Sequence, residues 1–150
     1  MDVSGMPYTA LVPVPARRHP HQVLIAGLLM VSGLGILLGG PSPGSVSAAL
    51  PTWLLLLWAG VITLGGAMVV AAAIVPPLWA LFLELAADPA LCVMCVVYSA
   101  ALFDIAGSRA AVPIALVAGV AAAFAVRAVQ VYRTLLAVRR EALRTAGERR

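Results

Sequence analysis

The sequence predicts an all-α integral membrane protein: a bundle of four transmembrane helices with a short interfacial helix. Three observations predict it. The 150 residues are 63% hydrophobic and only 11% charged, which leaves too little polar surface to cover a soluble core. The apolar residues gather into runs close to the roughly 20 residues that about 30 Å of hydrocarbon requires. All ten basic residues are arginine, and most of them lie toward the two ends.

Residues 1–21, "MDVSGMPYTALVPVPARRHPH", contain Pro7, Pro13, Pro15 and Pro20 and show no hydrophobic period, so they read as a flexible tail. Residues 22–40, "QVLIAGLLMVSGLGILLGG", are long enough for a first span. The charge-free "PSPGSVSAALP" that follows is a proline-rich loop. Its "SVSA" would also suit cleavage after Ala48. The apolar run is long for a signal peptide and ends well before that site, which favours an uncleaved span. Residues 52–75 form the second span, with Trp53 and Trp58 at its entry, where indoles favour the headgroup boundary. Pro76 and Pro77 end it, because neither donates a backbone hydrogen and the second excludes its predecessor from helical geometry.

Residues 78–88, "LWALFLELAAD", have about half the length needed to cross. They read as a short interfacial helix with Glu84 facing water. Asp88 then caps, and Pro89 opens, a third span over residues 89–107. One long helix from Pro77, bent at Pro89, is the alternative. "GSRAAVP" turns the chain, and residues 112–136 form the fourth span. The transmembrane domain is thus residues 22–138, followed by a basic tail, residues 139–150. Arg17 and Arg18 precede the first span; Arg139, Arg140, Arg144, Arg149 and Arg150 follow the last. Such placement puts both termini in the cytoplasm and requires an even number of crossings of the cytoplasmic (inner) membrane.

Ionisable groups within spans are candidates for function by default. Glu84 and Arg127 fall toward the cytoplasmic side and are expected to pair; Asp104 is within reach of Arg109 near the outer turn. Charges so close to an interface are satisfied by pairing and snorkelling, which favours a fastening role. Arg127, Gln130 and Thr134 share one face of the fourth span. Cys92 and Cys95 in "LCVMC" also share a face. A redox pair is one reading, but two small packing residues with undissociated thiols is the preferred one. His19 and His21 have no further ligands for zinc. No catalytic residue, cofactor or metal is therefore expected. The arginines form no stripe interleaved with aromatic residues, which argues against nucleic acid. Anionic lipid headgroups are their expected partner. The glycines complete the reading: Gly35 and Gly39 in "GILLG", Gly65 and Gly66 in "LGGA", and Gly119 beside Ala115 and Ala123. Small residues let helices approach closely, within one chain or in self-association.

Across "GGPSPGSVSAALPTWLLLLWAGVITLGG" (residues 39–66) and "RAVQVYRTL" (residues 127–135), the chain resembles small four-span membrane proteins of actinobacterial phages, some of them treated as holin-like. The pattern covers most of residues 20–138. The resemblance implies an inner-membrane location and self-assembly into lesions that release or activate an endolysin, and it brings no catalytic residues. The expected function is thus membrane permeabilisation by an oligomer, without enzyme activity. Two other readings stand beside it. One is a non-catalytic accessory or regulatory subunit that binds an unidentified membrane protein through the interfacial segment and the arginine tail. The other is a quinone-linked thiol oxidoreductase using Cys92 and Cys95.

Overall fold

A computed structural model of the chain describes residues 20–147, and these contain helices and no strand. Five α-helices follow in order: α1 (Pro20–Leu37), α2 (Gly44–Ala49), α3 (Thr52–Ala72), α4 (Pro77–Ala106) and α5 (Ala111–Gly147). A 3-10 turn, Gly107–Ala110, joins the last two. Most of the N-terminal tail, with Arg17 and Arg18, and the last arginines, Arg149 and Arg150, lie outside the described residues. Three helical stretches are long and apolar enough to cross a membrane: Pro20–Leu37, Thr52–Ala72 and Pro77–Arg144. The third contains the 3-10 turn, at which the chain folds back so that α4 and α5 pack together.

Glycine and proline set the helix ends. Gly39 has φ +83°, and its N–H donates to the Ile36 carbonyl while the N–H of Gly40 donates to that of Gly35. This is the Schellman arrangement, in which a left-handed residue turns the backbone to satisfy the last carbonyls of a helix. Gly39 therefore stops α1. Pro76 and Pro77 separate α3 from α4, with Pro77 at the first helical position of α4, where its missing N–H costs nothing. Gly107, at φ +53°, ends α4.

Pro89 does not begin a helix. It lies inside α4, which runs unbroken through 30 residues from Pro77. The separate interfacial helix expected over residues 78–88 is instead the first third of α4. The Asp-Pro signal is local and competes with packing: a proline ring removes one hydrogen bond, which the neighbouring helices can offset. In the loop after α1, a six-residue helix, α2, appears where no element was expected.

The helices form an open row. α1 packs on α3, α3 on α4 and α4 on α5, with α2 laid against α4. α5 makes no comparable contact with α1 or α3, so the helices expected as a bundle lie in a row. The core includes Ala26, Ala59, Ile62, Leu91 and Phe124. Trp58, expected at the headgroup boundary, is buried: its Nε1 donates to the Met94 carbonyl on α4 at 3.2 Å, and its ring lies 5.9 Å from that of Tyr98. Trp53 remains exposed. Among the described residues the buried charged side chains are Glu84 and Asp88, while Leu24, Leu28, Leu64 and Leu116 point outward. In water this distribution would be inverted, because apolar area is what water expels.

Candidate functional site

A polar cluster forms on α4 near the Arg-bearing end of the row, reached by one side chain from α1 and one from α5. Glu84 and Asp88 lie one turn apart on α4 and so share a face. Arg127 reaches them from α5: its Nε and Nη2 both donate to Glu84 Oε2, at 3.1 and 2.7 Å. Both side chains are nearly covered, 11% exposed for Arg127 and 4% for Glu84. A charged pair of this kind loses much solvation, so its two hydrogen bonds are required if it is to persist. From α1, Gln22 Nε2 donates to Asp88 Oδ1 at 3.3 Å. Asp88 is fully buried.

The depth of the cluster follows from helix geometry. Asp88 precedes the turn at Gly107 by about 28 Å of α4, at 1.5 Å per residue. That is close to the thickness of a hydrocarbon layer. With the turn at one face of a bilayer, the cluster lies near the other. Gln22 agrees with this, being in the first turn of α1. α4 and α5 overshoot in different degrees: at 1.5 Å per residue they are about 45 and 55 Å long, so α5 extends far beyond the cluster.

The remaining expected residues are placed differently. Asp104 and Arg109 are both exposed, and no ion pair joins them among the described residues. Gln130 is exposed and Thr134 donates its hydroxyl to the Gln130 carbonyl at 3.0 Å, so of the face that Arg127 was expected to share with them, only Arg127 joins the cluster. Cys92 and Cys95 are free thiols on α4; Cys95 is buried and Cys92 half-buried. Of the five glycines singled out, Gly65 and Gly66 pack closely. A Cβ on Gly66 would meet the Ala26 carbonyl and Met30 of α1, and one on Gly65 would meet Leu91 of α4 at 3.0 Å. Gly35, Gly39 and Gly119 have nothing within 4 Å of such a Cβ. Gly33 was not singled out, yet it is pressed against Thr63, the Ala59 carbonyl and Ile62.

Sequence reasoning also missed the link between Gln22 and Asp88. Gln22 reads as the polar first residue of a span and Asp88 as a helix cap; nothing local joins residues so far apart. The chain matches no protein-family model, no curated protein and no solved structure.

Proposed function

We propose that the chain is a holin-like integral membrane protein without catalytic activity. In this reading α1, α3, α4 and α5 each cross the cytoplasmic membrane, both termini face the cytoplasm, and lateral self-association permeabilises the bilayer. The observation that carries it is the open row. Its two edges, α1 and α5, are different surfaces, and each presents apolar side chains and an uncovered glycine, Gly35 or Gly119. Joining one edge to the other is a heterologous contact, which closes into a ring or continues as an array. Small residues favour such contacts in lipid by allowing close approach.

The test is induced expression with a membrane-potential dye. An abrupt loss of potential after a delay supports the reading; a polarised membrane and normal growth at high expression contradict it. A second reading, an accessory subunit, is favoured by the length of α5, whose Arg-bearing end would project past the headgroups to meet a partner. It predicts co-purification with a larger membrane protein that is lost when residues 139–150 are removed.

A further inference from the structure

Asp88 is the polar group that neither helix packing nor self-association accounts for. Its residue is fully buried, and while Oδ1 accepts from Gln22, Oδ2 is buried with no hydrogen-bond partner. The neighbouring groups explain the deficit. Both donors that Arg127 sends into the cluster end on Glu84 Oε2. With both carboxyls ionised, two negative charges would lie one turn apart on α4, and the donors of Arg127 are directed to Glu84, not to Asp88. An uncompensated buried charge is costly, and the usual resolution is to neutralise it. α3, the third helix packed on this stretch, has no ionisable side chain at all. On α1 the adjacent His21 is exposed, and along α4 the next titratable group is Cys92, one turn further on.

Pro89 supplies the second half of the argument. It follows Asp88 within α4 and has no N–H, so the Leu85 carbonyl, four residues earlier, lacks its helical donor. An acceptor without a donor therefore lies one turn from a carboxyl oxygen without a partner. A hydrogen on Oδ2 would make the carboxyl a donor beside an acceptor-rich stretch of α4.

We propose that Asp88 is a proton-binding site inside the helix row, distinct from the Glu84–Arg127 pair beside it. The ligand is a single proton, taken from water at the cluster's end of the row. It forms an O–H bond at Oδ2, and no electrons are transferred. In the protonated site Asp88 is a neutral acid: Oδ2 carries the proton, Gln22 donates to Oδ1, and Arg127 stays on Glu84. Release of the proton leaves a carboxylate facing Gln22, so occupancy of the site acts on the Gln22–Asp88 link between α1 and α4.

The experiment uses the full chain in phosphatidylcholine/phosphatidylglycerol vesicles. Its probe is dicyclohexylcarbodiimide, which adds to protonated carboxyl groups shielded from water. Mass spectrometry should find the adduct on Asp88 at neutral pH, diminishing as the pH is raised and unchanged by sodium or potassium. Infrared spectra should show a protonated-carboxyl stretch that Asp88→Asn abolishes. Gln22→Leu removes a hydrogen bond without removing the acid, so it should keep the stretch and provides the reading if Asp88→Asn fails to fold. Protection by sodium or potassium would identify a metal-cation site and overturn the proposal. An adduct on Glu84 alone, or the absence of any protonated-carboxyl stretch across the pH range, would also overturn it.

Discussion

The contact between α1 and α3 and the contact between α4 and α5 join helices by opposite means. At the first, Gly33 and Gly66 bring one backbone against the other, and no charged group takes part. At the second, Arg127 of α5 binds Glu84 of α4 through two hydrogen bonds to a single oxygen. The difference teaches what lipid permits. Hydrocarbon surroundings remove the hydrophobic drive between helices, leaving shape and polar attraction to select neighbours. Shape-selected contacts should be sensitive to added volume and indifferent to charge. Contacts selected by polar attraction should show the reverse.

The largest effect is expected at the charged contact. Arg127→Leu takes the Arg127 guanidinium away from buried Glu84 and should cost about 3–5 kcal/mol. Unfolding titrations in mixed micelles would measure it. The double substitution Glu84→Leu with Arg127→Leu should recover most of that loss, since a buried pair adds little over well-packed apolar residues. Equal losses in the single and double variants would break the comparison. Gly66→Val should cost about 1–3 kcal/mol through overpacking against Ala26 and Met30. Its effect should add to that of Arg127→Leu, because the two contacts share no residue. The smallest effect belongs to Gly119→Ala, which meets nothing. Its monomer should unfold within about 1 kcal/mol of the original, on the stable side because alanine favours the helix. A shift in cross-linked oligomers without a shift in unfolding would assign that face to self-association.

Much of the helix layout was legible because its signals are local. Pro76-Pro77 and Gly107 end helices through their own backbone chemistry, whatever surrounds them. Glu84 and Arg127 were legible as partners because lone charges in apolar runs have few alternatives. The row was not legible. α1 and α3 are apolar on nearly every side, so no periodic face tells which neighbour each will choose. The same ambiguity hid Gly33, since it and Gly35 lie in one glycine-rich helix and only its rotation against α3 decides which of them meets α3. At Pro89 the cap signal of Asp88-Pro89 lost to the continuity of α4, and Trp58 was taken from the interface by its bond to Met94.

The proposed topology turns on the reversal at Gly107–Ala110: it takes α4 and α5 as two crossings with the arginine-bearing ends on one side. Cysteine labelling in intact cells tests this most directly, in a background carrying Cys92→Ala and Cys95→Ala. Ser108→Cys should react with an impermeant maleimide from outside, as should Ser42→Cys in the loop between α1 and α2. Leu143→Cys on α5 should react only after the membrane is opened. If Ser108→Cys is reached from the same side as Leu143→Cys, the two helices do not cross separately and the four-crossing account is wrong.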